Sequence, residues 1–267
     1  MAGAAYWRCV GSAGTLDMTT NLLPPPCISA DQLTQNLKAQ GYAVLDAPTF
    51  ARLAGTTLSA LHELESTWND LPPDEYLKDG GRYRRRRHAC FTAHDGQIMP
   101  VAHRAHWQPL EYNALHGGMQ RWFAPVLEST LAQPAWTALL QALATVCSQL
   151  RGLQTWYGEA HQFRIDTTDG IGRPTPEGAH RDGVDLVAVF LVGREGVKGG
   201  ETRVFEADGP NGQRFTLTQP WSLLLLDDAR VIHESTPIQP TGANSAQGHR
   251  DTLVVTLRAH AFQGAGA

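Results

Sequence analysis

Residues 176–192 read PEGAHRDGVDLVAVFLV, a glycine-bearing polar connection that runs into seven consecutive apolar residues at 186–192. A run of that length bounded by Gly is too short for a buried helix and fits a strand covered on both faces. Outward from it, residues 156–165, 202–207, 214–218, 222–226, 230–233 and 250–258 are apolar at every second position or in short unbroken runs. Gly and Pro separate them, and Gly209-Pro210-Asn211-Gly212 marks a hairpin turn. Short strands with no helix between them pack antiparallel, and their natural closure is a jelly roll, a double-stranded β-helix of cupin type, or a barrel.

The first half reads differently. Ser29 and Gln32 form a capping box ahead of Leu33 and Leu37, Gly41 closes that helix, and residues 42–45 are strand-like. A second helix is predicted from Thr49 to Pro72, with Leu53, Leu61, Leu64 and Trp68 inward. A third, over 136–153, carries Leu139, Leu140, Leu143, Val146, Cys147 and Leu150 on one face. The expected fold is therefore α+β and mainly β, with N-terminal helices packed on one outer face of a jelly roll. Residues 1–28, which include Pro24-Pro25-Pro26, read as a mobile leader. Residues 29–262 read as one domain, helix-rich over 29–153 and jelly roll over about 155–260.

The 267 residues hold 22 Lys and Arg against 26 Asp and Glu, a net charge of −4, with 42% hydrophobic and 18% charged residues. That balance argues against a nucleic-acid partner, and no apolar run approaches the roughly 20 residues that span a bilayer. The N-terminus has no apolar signal core, so a cytoplasmic location is expected. Cys9, Cys27, Cys90 and Cys147 lie far apart and read as reduced thiols. Oligomeric state is open, a homodimer being one option.

His180 and Asp182 alternate, so in an extended chain both side chains share a face and reach one ion. Alone, such a triplet is weak. With His233, at the end of the strand 230–233, it makes a set of two imidazoles and one carboxylate that leaves coordination positions open and suits Fe(II) more than structural zinc. Arg250 opens the last strand, 17 residues past His233, and offers a bidentate fork to a carboxylate. Arg258 is a second candidate, and pairing of Arg250 with Asp227, Asp228 or Asp251 is the plainer reading. Five of the residues 82–87 (RYRRRR) are Arg. If extended, Arg84 and Arg86 share one face and can hold a substrate carboxylate; otherwise the run is a solvated face. Gln162 and Arg164 are candidates for a polar cavity wall and substrate contact, against an exposed sheet face. His88, His94, His103, His106 and His116 crowd one region without a ligand motif and read as solvated or structural.

The order His180-x-Asp182, His233, Arg250 resembles the Fe(II)/2-oxoglutarate-dependent dioxygenases. PEGAHRDGVDLVAVFLV, GGET at 199–202, LLLDDARVIHESTPI at 224–238 and HRDTLVVTLRA at 249–259 are similar to the bacterial isoleucine-dioxygenase-like amino-acid hydroxylases. HQFRI at 161–165, YNALHGGMQRWFAP at 112–125 and RYRRRR fit the same family, so the likeness covers about residues 40–260. It implies Fe(II) on His180, Asp182 and His233, 2-oxoglutarate on Arg250, dioxygen as co-substrate and hydroxylation of a small substrate, a free aliphatic L-amino acid. The step from His233 to Arg250 is longer than the superfamily pattern, and residues 239–248 read as a surface insertion. The competing reading is a metal-binding jelly roll without oxygenase activity: an isomerase, hydrolase, sensor or stress- and biofilm-associated regulator.

Overall fold

The computed structural model describes residues 22–242 and 248–264. Most of the expected leader and the middle of the 239–248 insertion therefore lie outside the described residues. Helix α1 (Leu33–Gln40) leads into β1 (Tyr42–Leu45), and α2 (Ala47–Leu53) and α3 (Leu58–Glu63) follow. Next come β2 (Arg84–His94), β3 (Gln97–Pro100), α4 (Glu128–Leu131) and α5 (Pro134–Arg151). The rest is β4 (Trp156–Asp166), β5 (Leu186–Glu195), β6 (Val197–Gly199), β7 (Thr202–Glu206), β8 (Gly212–Phe215), β9 (Leu223–Asp227), β10 (Val231–Ser235), β11 (Ile238–Pro240) and β12 (His249–Ala259).

The chain is mostly β, and its strands pair antiparallel throughout. One sheet has seven strands in the order β1-β9-β5-β12-β4-β2-β3; β10-β7-β8 and β11-β6 form two smaller sheets. Side chains alternate across the large sheet, and this sorts its residues into two environments. Phe91, Ala160, Ala188, Phe190, Leu253 and Leu257 pack with Leu139 and Leu143 of α5 and with Leu61, Leu64 and Trp68 in the main apolar core. On the opposite face, Val187, Leu191, Leu224 and Leu226 pack with Val204 of β7, Phe215 of β8 and Val231 of β10. The helices thus cover one face of the large sheet and the smaller β-layer covers the other.

The capping box at Ser29 is present, Gly41 ends α1 with φ 77°, and α5 lies within two residues of the expected span. The single helix expected over 49–72 is instead two short helices and a 3-10 turn (Leu64–Trp68). Gly55, at φ 63°, breaks the path, and Thr57 restarts it by accepting the amide N–H of Ala60. Trp68 ends this segment by donating its indole N–H to the carbonyls of Phe163 and Thr252, next to an irregularity in β12–β5 pairing at Asp251/Thr252. Strands β3, β6 and β11 have no counterpart in the sequence reading, being three or four residues long. No helix among the described residues is long and apolar enough to cross a membrane.

Phe190 is fully buried, edge-on to Phe50 at 4.8 Å and 6.2 Å from Trp221. Phe190→Ala is expected to cost about 3–5 kcal/mol, lowering the thermal midpoint by roughly 6–20 °C. Calorimetry checks this; a drop under 3 °C contradicts the packing described.

Candidate active site

A cavity of about 140 Å³ opens on the face of the large sheet turned away from the helices. Its floor is a grid set by register: Arg84 of β2 lies opposite Ile165 of β4, which lies opposite Arg250 of β12. The next row is Arg86, Phe163 and Thr252, and the one after is His88, His161 and Val254. His180, Asp182 and His233 line the same cavity, so the sequence-predicted triad and four of the candidate arginines, Arg84, Arg86, Arg250 and Arg258, share one space.

The triad is assembled by backbone as much as by side chain. His180 and His233 exchange N–H···O bonds of 3.0 Å, an isolated antiparallel bridge that brings their rings to 4.7 Å between centroids, tilted by 43°. His180 Nε2 lies 3.8 Å from Asp182 Oδ1, and His233 Nε2 3.9 Å from Asp182 Oδ2. All three ligand atoms fall within 4.8 Å of one another. His180 Nδ1 donates to the Gly178 carbonyl at 2.9 Å, so the neutral ring keeps its Nε2 lone pair facing the other two. Burial pushes Asp182 up to about 6 against the pull of His180, and burial followed by His180 drives His233 well below the ordinary imidazole range. The donor set and its convergence fit a divalent cation, which favours the ionised form of Asp182 and takes the lone pair of an already neutral His233.

Several supporting residues escaped the sequence reading. Asp228 accepts the amide N–H groups of Asp182, Gly183 and Val184 at 3.0, 2.7 and 3.1 Å, clasping the loop that carries the carboxylate. Gly183 stands there at φ 76°, and a Cβ would lie 2.4 Å from the Tyr112 ring. Gln263 donates to the carbonyls of Asp182 and Gly183, and Gln108 donates to Asp182 Oδ1 at 3.0 Å. The Gln108 amide cannot flip usefully, because its oxygen accepts from Asn113 and Arg121.

Arg250 is buried, with Nε and one terminal nitrogen lacking any partner. The plainer expectation of a strand-end ion pair is not what occurs: Asp251 binds Arg164, Asp227 binds Arg151, and Asp228 holds the ligand loop. Burial, then Arg194, lowers Arg250 to about 10, so it stays charged at neutral pH. Arg258 also lines the cavity and donates to the Ala261 carbonyl at 2.9 Å. The arginine run is extended, with Arg84 and Arg86 on the cavity face. Arg84 Nε binds Asp74 at 2.7 Å and leaves one terminal nitrogen unpaired. Arg86 lies 3.6 Å from the Phe123 ring centroid and 4.3 Å from that of Phe163, with Nε unpaired. Burial works to raise the Asp74 carboxyl, but Arg86 and Arg84 outweigh it and hold it below its ordinary value.

Two expectations are corrected. Gln162 and Arg164 do not face the cavity: they occupy the other parity of β4, where Gln162 donates to Thr67 at 2.8 Å and Arg164 forks onto Asp251. Of the two roles open to His88 and His106 the solvated one falls and the structural one stands: both are buried around Glu159, together with His161. His116 is buried as well, with its Nε2 accepting from the Lys78 amide.

The model of the 2OG-Fe dioxygenase family matches residues 65–256. The chain belongs to that family. This 2OG-Fe dioxygenase is 53% identical to a bsmA homolog from Methylobium petroleophilum PM1 over 90% of this chain and 97% of that one, with a TM-score of 0.86. IDO from Bacillus thuringiensis shares the fold at 16% identity and a TM-score of 0.71, covering 88% of this chain and 99% of its own. The Fe(II)/(alpha)ketoglutarate-dependent dioxygenase TqaL does so at 19% identity and 0.64, covering 84% and 85%. No curated protein matches the chain. Fe(II), 2-oxoglutarate and dioxygen are thus its cofactor and co-substrates, and the alternative of a barrel without oxygenase activity falls.

Removing the clasp on the ligand loop is expected to weaken metal binding. Asp228→Ala leaves three amide donors unpaired, and the affinity for a divalent probe such as Ni(II) should fall about 10–100-fold. Titration calorimetry reads this directly; an unchanged affinity contradicts the supporting role.

Proposed function

We propose that residues 29–262 act as one domain, a double-stranded β-helix in which His180, Asp182 and His233 hold Fe(II) and Arg250 anchors 2-oxoglutarate. The substrate is a free aliphatic L-amino acid, handled in the manner of the isoleucine-dioxygenase-like hydroxylases. One observation carries the reading: a single cavity contains the convergent His-Asp-His set, Arg250 with two unpaired nitrogens, and Arg84 and Arg86 with one each. Buried guanidinium donors without partners are costly, and a cavity that keeps three such groups is built to receive anions. Two small sheets, β10-β7-β8 packed on one apolar cluster of the large sheet and β11-β6 on a second that includes Ile165, support the β-helix, and the free thiols of Cys27, Cys90 and Cys147 accord with a cytoplasmic site.

Bound on the triad with its co-substrates, iron supplies the oxidising step. The chain's own residues bind, orient and exclude water. His180 presents Nε2 because Gly178 holds the Nδ1 proton. Gln108, locked by Arg121 and Asn113, steadies one oxygen of Asp182. Arg250 offers two nitrogens to the distal carboxylate of 2-oxoglutarate, and Arg84 or Arg86 takes the α-carboxylate of the substrate, which fixes the carbon to be oxidised.

Succinate release, screened over free amino acids with Fe(II) and 2-oxoglutarate, tests the whole reading; no response to any aliphatic amino acid refutes the substrate. Ala at His180, Asp182 or His233 should abolish bound iron with a smaller loss of thermal stability than Phe190→Ala. Arg250→Lys keeps the charge but loses the fork, so 2-oxoglutarate affinity should fall at least tenfold, for a loss of about 2–5 kcal/mol. If Arg258→Lys shows that loss instead, the anchor lies at the other end of β12. Arg84→Ala and Arg86→Ala should together show which guanidinium raises KM for the amino acid when removed.

A further inference from the structure

Beside the triad, the cavity wall holds a carboxylate that the foregoing leaves without a role. Glu159, on β4, is buried, yet no Lys or Arg nitrogen lies within 4.0 Å of it among the described residues. Its Oε2 instead faces three imidazoles: His106 Nδ1 at 2.5 Å, His88 Nε2 at 3.3 Å and His161 Nε2 at 3.5 Å. The hydrogen bond to this side chain among the described residues goes to Oε2, which leaves Oε1 for a ligand, and the side chain lines the cavity.

Four ligand atoms within 4.8 Å of one another raise the question of a second metal. The hydrogen bonds take His161 out of such a set. Arg86 donates to His161 Nδ1 at 2.8 Å, and a guanidinium only donates, so the His161 proton sits on Nε2 and points at Glu159. A protonated Nε2 has no lone pair for a cation. Burial drives His106 down to about 4 against the pull of Glu159, and it pushes His161 well below its ordinary value. Burial works to raise Glu159 too, but His106 and the three N–H donors outweigh it and hold it ionised. The cluster is therefore a carboxylate kept charged by neutral donors, with one oxygen left for a ligand.

We infer that Glu159 is the seat of a positively charged nitrogen on the substrate, opposite the Arg84/Arg86 seat for its carboxylate. This rests on the proposed amino-acid reading and deepens it. Arg86 and Glu159 are separated by one imidazole, that of His161, so the anionic and cationic poles of the cavity lie on either side of a single ring. A dipolar substrate neutralises both, while a molecule with only a carboxylate leaves a buried charge uncompensated, which is the strongest ground for discrimination a site can have.

The test compares matched pairs, each amino acid against the 2-hydroxy acid of the same side chain and each simple amine against its alcohol, by succinate release and by shift of the thermal midpoint with iron and 2-oxoglutarate present. The expected result is a preference of at least about tenfold for the nitrogen-bearing member in the wild type. In Glu159→Gln the preference should narrow by a similar factor, while Glu159→Asp retains part of it; metal content and 2-oxoglutarate affinity measured on each variant confirm that the fold persists. Equal use of the hydroxy acid by the wild type overturns the inference without touching the oxygenase, and needs no variant. A full preference retained in Glu159→Gln, no response to any amine, or a second metal per chain that Glu159→Gln removes overturns it as well. A response to amines but to no amino acid keeps the Glu159 seat and refutes the amino-acid reading.

Discussion

Everything in the site depends on the two-residue alternation of β2, β4 and β12 in one fixed register. Arg84, Arg86 and His88 face Ile165, Phe163 and His161 across β4, and Arg250 and Thr252 continue the same rows. The residues that alternate with them on β4 and β12, Ala160, Leu253, Val255 and Leu257, meet the helices. A slip of one residue turns guanidinium groups into the apolar core and leucines into the cavity, so burial of the core specifies the cavity's chemistry. Helix α5 has no functional side chain in the site, yet its packing holds the register that supplies the site.

The cavity is electrostatically unusual because its charges are neutralised incompletely and in a directed way. Asp74 satisfies one edge of Arg84 and lies 3.7 Å from Arg86, leaving a free nitrogen on each. Arg250 has Arg194 as its nearest like charge and no carboxylate within ion-pair distance among the described residues. Holding unpaired donors in a dry site costs stability, but it removes the reorganisation that a flexible surface arginine undergoes on binding an anion. Stacking of Arg86 on Phe123 and Phe163 offsets part of that cost through the rings' π-faces.

The strands and the triad were legible because each is a local pattern: alternation for β4 and β12, a His-x-Asp triplet before a buried run, a late His. The single helix over 49–72 was misread because apolar periodicity passes through Gly55 undisturbed, whereas the backbone does not. On β4 the polar residues fall on both parities, Glu159 and His161 on one and Gln162 and Arg164 on the other. Sequence pointed to the second pair; the structure buries it against Thr67 and Asp251, since only tertiary packing decides which face meets helices. The parity of Arg84 and Arg86 was readable, and its agreement with Glu159 across β2–β4 pairing was a usable signal only once that pairing was known. The histidines His88 and His106 carry no ligand motif in the sequence, yet they come together from a strand and a loop, through the bridges His88–Pro125 and His106–Arg121.

The ligand loop shows why a triad on loops can still be rigid. His180 and Asp182 lie outside the named strands, but His180 is bridged to His233, Asp182 is clasped by Asp228, and Gln263 near the chain's far end closes over both Asp182 and Gly183. Two regions distant in sequence, around 228–233 and at Gln263, thus hold the loop that carries one carboxylate. Asp228 follows β9 directly, so the clasp is referenced to the same seven-stranded sheet that places Arg250. The iron seat and the 2-oxoglutarate anchor proposed here are in this way two readouts of one scaffold, the loop being tied to it through its own backbone amides and carbonyls by the Asp228 and Gln263 side chains.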